Sequence, residues 1–280
     1  MGYSKMALVT GASSGFGLLT CIELAKSGFS VIATMRDVVN ANILMEFAKN
    51  HGVEKQLTLH PLDVTEEESI SQLKELIDKY ESIDVLINNA GYAGAGFVEE
   101  IPLSEYRSQF ETNVFGAIAV TQTVLPIMRK RRAGKIINVS SISGRVGFPG
   151  LSPYNASKYA LEGWSESLRL EMKEFGVDVV LVEPGSYQTN IWSKGKQVTE
   201  KSMNPDSPYY EMMQNIERHL EAEQSNYGDP NDVAKLIVEI AKSDKTKLRY
   251  PIGKGVRVML ALKGVLPWNL WERIVLKQLK

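Results

Sequence analysis

Short runs of β-branched and aliphatic residues recur along the chain, separated by stretches whose apolar residues fall at helical spacing. The runs lie at residues 6–9, 30–35, 56–61, 85–87, 135–139, 177–182 and 248–252. Val177-Asp178-Val179-Val180-Leu181-Val182 is almost unbroken in its apolar character, as expected of a strand covered on both faces. The alternation of strand and helix predicts βαβ units, and so an α/β chain with a doubly wound parallel sheet and helices on both faces. The longest helical stretches fall at 104–131 and 154–175. Between 186 and 228 the alternation fails, and Lys, Gln, Asn, Ser, Pro and Tyr cluster over a segment longer than an ordinary connection. That length predicts a substrate-binding loop, acting as a mobile lid, within a single domain spanning 1–280. Residues 254–280 form an apolar extension interrupted by Arg257, Lys263, Glu272, Arg273 and Lys277, too charged for a membrane-spanning helix. The extension is expected to pack over the substrate loop or against another subunit, with membrane-surface contact as the second reading.

Composition narrows the classes. A formal net charge of -1 with 44% hydrophobic residues is globular and lacks the cationic excess that a nucleic-acid binder needs, so no nucleic-acid partner is expected. Cys21, the one cysteine, sits among apolar residues of a helical pattern and is expected to be a buried thiol. His51, His60 and His219 are scattered without ligand spacing, which predicts no metal site. The chain enters its first strand at once, with no room for a signal core, so a cytoplasmic location is the expectation.

Chemistry enters at the first strand-to-helix junction, Thr10-Gly11-Ala12-Ser13-Ser14-Gly15-Phe16-Gly17. Glycine lets the chain turn sharply and bring backbone N–H groups against a pyrophosphate, although a tight turn needs glycine whether or not anything binds. Tyr154 and Lys158 stand four apart and therefore on one helix face. A lysine cation there would draw the phenol below its usual pKa of about 10; the alternative is an ordinary surface pair. Ser141 follows the strand at 135–139 and so reaches the carboxyl edge of the sheet, where open α/β sheets bind ligands. Its alternative role is a turn cap, as for Ser140, Ser143 and Ser157.

Three residues separate the first two glycines, and Thr-Gly-x-x-x-Gly-x-Gly resembles the cofactor loop of the short-chain dehydrogenase/reductase family. Further motifs follow in the family's order as far as residue 190. The resemblance implies a Rossmann-like fold with a dinucleotide held by Thr10, Gly11, Ser13, Ser14, Gly15, Phe16 and Gly17. It further implies an adenine contact at Asp63 and Val64, a cofactor-lining segment at Asn89, Ala90 and Gly91 after Asn88, and a nicotinamide contact at Pro184, Gly185, Tyr187 and Thr189. Asn113, Ser141, Tyr154 and Lys158 match its catalytic positions. By that likeness Tyr154 passes the proton, Ser141 holds the carbonyl oxygen, Lys158 also binds the nicotinamide ribose, and Asn113 holds a helix kink and a water relay. Met35 stands where members preferring NAD carry Asp, and Arg36 follows it, so NADP(H) is the expected cofactor and NAD(H) the alternative. Two features temper this: Asp37 could pair with Arg36, and Ser14 fills the loop's other basic position.

Ser141, Ile142, Ser143, Phe148, Tyr187 and Trp192 are expected to wall a pocket for a small hydrophobic carbonyl compound or its alcohol. Ala33-Thr34-Met35-Arg36-Asp37 resembles the family's steroid and retinol branches, while steroid, long-chain aldehyde, quinone and ketone substrates all stay open. The helical stretches at 104–131 and 154–175 are expected to pair subunits into a homodimer or homotetramer. Two other readings are a catalytically idle NADP-binding regulatory module and a sugar-nucleotide epimerase or dehydratase. The complete catalytic set weighs against the first, and glycine spacing and length against the second.

Overall fold

The computed structural model describes residues 5–189 and 195–277. The strands are β1 (Met6–Val9), β2 (Ser30–Met35), β3 (Leu57–Pro61), β4 (Val85–Asn88), β5 (Ala93–Ala95), β6 (Gly134–Val139), β7 (Val177–Pro184), β8 (Lys196–Val198) and β9 (Arg249–Ile252). Among the described residues, seven of them form one all-parallel sheet in the order β3-β2-β1-β4-β6-β7-β9. The expected seven strands are therefore present, displaced at most by a few residues at their ends.

Period-two alternation explains why this sheet needs two helical layers. Ala7, Val9, Val31, Ala33, Ile137, Val139, Val180 and Val182 face one core, packed by α1 (Gly15–Lys26), α2 (Asn42–Asn50) and α8 (Pro230–Lys242). Leu8, Ile32, Leu86, Ile136, Val177 and Val179 face the other, packed by α3 (Glu67–Ile77), α5 (Gly116–Arg131) and α6 (Ser152–Met172). Burial of each large aliphatic side chain contributes about 1.5–3 kcal/mol relative to exposure, so both layers must be kept. Cys21 is buried in α1 as expected, and burial pushes its thiol well above the ordinary range.

The helical stretch at 104–131 is unbroken but not uniform. α4 (Leu103–Phe110) passes through a π-helical turn at Glu111–Phe115 before α5 begins. The segment at 186–228 is also not the irregular loop that its polar composition suggests. Its described part carries β8, paired in parallel with β5, and a 14-residue helix, α7 (Tyr210–Glu223). The helical signal is Met213, Ile216 and Leu220, spaced i, i+3, i+7 and diluted by charged neighbours. Phe97 and Tyr209 stack at 4.6 Å, and the Ser202 and Ser207 hydroxyls donate to Glu100 at 2.6 and 2.5 Å, fastening the segment to the body. The C-terminal extension folds as α9 (Val256–Val265) and α10 (Trp268–Lys277). Among the described residues, no helix is long and apolar enough to cross a membrane.

A buried polar stitch runs through the centre of the sheet. Asn88 Nδ2 donates to Thr121 Oγ1 and to Asn138 Oδ1, both at 2.9 Å, and Asn138 Nδ2 donates to Ser165 Oγ at 2.8 Å. Strands β4 and β6 are thereby tied to α5 and to α6. Removing a buried partner leaves the others unsatisfied, at a cost of about 1–3 kcal/mol. Asn138→Ala is expected to lower unfolding stability by that amount in a urea titration, and an unchanged midpoint would show that the stitch carries no load.

Candidate active site

Parallel pairing places every strand's carboxyl end along one edge, and the glycine loop is locked there to the end of β4. Thr10 N–H donates to the Ile87 carbonyl at 3.0 Å, and the Thr10 hydroxyl accepts the N–H groups of Asn89 and Ala90, both at 3.0 Å. Asn89 Nδ2 returns bonds to the carbonyls of Thr10 at 2.9 Å and Gly11 at 3.1 Å. Gly11 and Gly15 hold φ of 69° and 55°, and a Cβ on Gly17 would strike the Gly11 carbonyl and the Asn89 amide. Ser14 makes no side-chain cap, and α1 has no acidic residue in its first turn, so the helix start suits an anion. Arg36, Asp63 and Val64 follow β2 and β3 farther along the edge. Arg36 is exposed, and Asp63 Oδ1 accepts from the Thr65 N–H and hydroxyl at 2.9 and 2.7 Å.

Beside the loop lies a cavity of about 60 Å³, lined among others by Phe16, Asn89, Gly91, Ser141, Tyr154, Lys158, Pro184, Gly185, Tyr187 and Thr189. Residues far apart in sequence are thus brought together. Thr189 Oγ1 is buried there without a hydrogen-bond partner. An orphaned hydroxyl beside a cradle that a Cβ would fill fits a nicotinamide dinucleotide.

Asn113 sits in the π turn, where the widened helix lets its side chain reach across rather than bond within its own helix. Asn113 Oδ1 accepts the Tyr92 N–H at 3.1 Å, while Nδ2 donates to the Tyr92 carbonyl and to Ser157 Oγ, both at 3.1 Å. The chain after β4 is thereby braced against α6 next to Lys158. Gln109, which the sequence did not single out, acts similarly: its Oε1 accepts the Gly94 N–H at 2.6 Å and its Nε2 donates to the Tyr92 carbonyl at 2.9 Å.

Ser141 takes its turn-cap role without using its hydroxyl proton. Its Oγ accepts the Ser143 N–H at 3.1 Å as a turn cap, which leaves the hydroxyl proton to donate towards Tyr154 or a ligand. The expected lowering of the Tyr154 phenol by Lys158 is not met. Burial pushes Tyr154 up to about 12, opposed by its bond with Ser141. Lys158 is pushed down to about 8 by burial, opposed by Glu162. Its Nζ donates to the Val139 carbonyl at 2.8 Å and stands 5.7 Å from the Tyr154 ring centre.

A second cavity, of about 510 Å³, adjoins this one. Ser141, Ile142, Ser143 and Phe148 line it as expected, and Asn155 Nδ2 steadies the Phe148 carbonyl at 3.0 Å. The opposite wall is α7, through Met213, Ile216 and Leu220, joined by Val256, Met259 and Val275 from α9 and α10. Extension residues thus line the same cavity as α7. His219 also lines the cavity, near the Lys196–Glu217 ion pair at 2.5 Å. Tyr187 does not line this cavity: it bridges Gly228, meets Phe16 edge-on at 5.6 Å and lines the smaller cavity. Backbone pairing fixes it there, because a Cβ on Gly228 would already touch its ring. Trp192 lies outside the described residues.

Behind Lys158, one turn along α6, Glu162 is buried with Glu183 of β7, and both carboxylates share the Arg249 Nε at 2.9 and 3.2 Å. Arg145 reaches Glu183 as well, at 3.1 Å. Burial, reinforced by the Glu183 charge and opposed by Arg249, pushes Glu162 up to about 7. An acid whose folded pKa is raised supports the fold fully below its unfolded pKa and loses that support as pH rises through the folded value. Stability is therefore expected to fall between the ordinary carboxylate range and about 7. Glu162→Gln should flatten that slope in thermal unfolding across this window, and parallel curves for both proteins would refute the assignment.

Comparison with known proteins agrees with this geometry. Residues 5–199 match the short chain dehydrogenase family. An uncharacterized oxidoreductase, YusZ, of Bacillus subtilis is 49% identical over 98% of both chains. Retinol dehydrogenase 8 of Bos taurus is 35% identical over 94% of this chain and 86% of its own. A short-chain dehydrogenase from Streptomyces avermitilis superposes with a TM-score of 0.82 at 33% identity, covering 98% of both chains. A variant of actinorhodin polyketide ketoreductase, solved with NADPH, gives a TM-score of 0.77 at 28% identity, covering 91% of this chain and 99% of its own. With the glycine lock, the Ser-Tyr-Lys-Asn geometry and these matches, the chain belongs to the short-chain dehydrogenase/reductase family of oxidoreductases.

Proposed function

We propose that this protein is an NADP(H)-dependent oxidoreductase that interconverts a hydrophobic carbonyl compound and its alcohol. The observation that carries the reading is the position of Ser141, which lines both the small cavity with Tyr154 and Lys158 and the large, mainly apolar one. A carbonyl carbon at that junction meets the proton donor on one side while its apolar body fills the other.

The dinucleotide would lie along Thr10, Gly11, Ser13, Ser14, Gly15, Phe16 and Gly17, with Asp63, Val64 and Ala90 towards its adenosine part and Pro184, Gly185, Tyr187 and Thr189 at its nicotinamide. When bound, it supplies or takes up the hydride. In reduction Tyr154 O–H donates its proton to the carbonyl oxygen, and Ser141 O–H steadies that oxygen as charge grows on it. A phenol raised to about 12 by burial is a proton donor at rest. For the reverse reaction its pKa must fall, which a positively charged ring beside it favours. Lys158 holds the ribose, and Asn113 braces the site and passes a water relay. Arg36, exposed after a strand that ends in Met35 rather than an acid, pairs with a 2′-phosphate. The ketoreductase solved with NADPH and the retinol dehydrogenase similarity support this cofactor and an apolar substrate. Exposed Phe115, Tyr159 and Leu170 suit pairing of subunits into a homodimer or homotetramer.

Purified protein with NADPH or NADH and a panel of apolar ketones and aldehydes tests the reading; turnover of none of them overturns it. Tyr154→Phe should lower turnover by about 100-fold or more while NADPH affinity stays near wild type, because only the transferable proton is lost. Activity within a few-fold of wild type would remove Tyr154 from the donor role. Arg36→Ala should weaken NADPH binding by about 1–3 kcal/mol and leave NADH nearly unchanged in fluorescence titrations. Equal loss for both cofactors would make Arg36 a support of its turn.

A further inference from the structure

The two C-terminal helices are amphipathic in a way that the cavity explains only on one side. Val256 and Trp271 are buried, and Met259 and Val275 wall the large cavity. On the opposite side of α9, Val258, Leu262 and Val265 recur at i, i+4, i+7 and are 64%, 42% and 77% exposed. On α10, Trp268, Leu270 and Ile274 are exposed as well. The same stretch holds Lys254, Arg257, Lys263, Arg273 and Lys277 against the single acid Glu272, in a chain whose net charge is only -1. Lys263 Nζ lies 4.1 Å from the Trp268 ring centre and 5.7 Å from that of Trp271, joining the two helices.

We propose that α9 and α10 dock the protein on an anionic lipid bilayer, lying in the plane of its surface with Val258, Leu262, Val265 and Trp268 inserted among the headgroups. Each helix has ten residues, about 15 Å of rise, half the thickness of a hydrocarbon core. An in-plane seat is therefore the membrane geometry open to them. A second copy of the chain fits this surface less well. A two-fold contact would set the same cationic excess against itself, whereas anionic headgroups neutralise it. The inner faces of the same helices form cavity wall, so docking brings the wall of the large cavity to the source of an apolar substrate. That last consequence rests on the proposed function; the docking itself does not.

Flotation of the full-length protein with vesicles of phosphatidylcholine plus phosphatidylglycerol, and with phosphatidylcholine alone, tests the proposal. The anionic vesicles should carry about tenfold more protein, and raised salt should reverse the excess. Val265→Asn with Trp268→Asn should cut flotation by a similar factor, and so, separately, should Arg257→Glu with Arg273→Glu. Both variants should keep wild-type thermal unfolding and NADPH binding. Equal recovery on both vesicle types, no recovery on either, or variants that float like wild type would overturn it. So would conversion of a wild-type dimer to monomer by Val265→Asn with Trp268→Asn when the wild type does not float, since the face would then belong to a second copy. Turnover of a water-soluble carbonyl in the same preparations reports on the proposed function separately.

Discussion

Parallel pairing of all seven strands is the constraint from which the site follows. It buries the sheet on both faces, because each parallel connection must return through a helix, and it sends every strand's carboxyl end to the same edge. Thr10, Asn89, Ser141 and Gly185 follow four different strands and still converge. The convergence alone would leave loose loops. It is made rigid by the Thr10–Asn89 lock and by Asn113, each tying the chain after β4 to a neighbouring element through backbone atoms. Rigidity of this kind matters because proton and hydride transfer both depend on sub-ångström placement.

Burial sets the electrostatics of the same edge. Tyr154 is raised, Lys158 lowered and Glu162 raised, each chiefly by loss of water. The Tyr154 phenol is therefore held protonated near neutral pH. Glu162 and Glu183 add a buried acidic pair one turn behind Lys158, held by Arg249 from the far strand β9. Such a pair costs desolvation, and Arg249 offsets part of it by bridging both carboxylates.

The strands and the helix shared by Tyr154 and Lys158 were legible in the sequence because each depends on a local signal. β-branched runs gave the sheet, and the spacing of Tyr154 and Lys158 gave a shared helix face. The features that were missed depend on contacts between distant segments. β5 and β8 are three residues each and pair over a separation that no local pattern marks. α7 has an apolar stripe of only Met213, Ile216 and Leu220, so its polar surface hid its period. Tyr187 was assigned to both the nicotinamide and the substrate pocket, and its bridge to Gly228 holds it at the smaller cavity and away from the larger one. The direction of the Tyr154 shift was misjudged for a related reason, since spacing reports which groups share a face and says nothing of how dry that face is.

The two walls of the large cavity consequently come from different parts of the chain. Ser141, Tyr154 and Lys158 come from a strand end and α6, all before residue 190, and are fixed by the sheet. The wall opposite them comes from α7, α9 and α10, of which the segment carrying α7 is fastened to the body by Glu100, Phe97 and the β5–β8 pairing. Ile216 and Met259 stand on α7 and α9, outside the seven-stranded sheet whose strand ends lead to Ser141. A cavity of about 510 Å³ thus has one wall built on the chain between β6 and α6 and another on helices outside the sheet, so its shape on the helical side is set independently of the sheet edge.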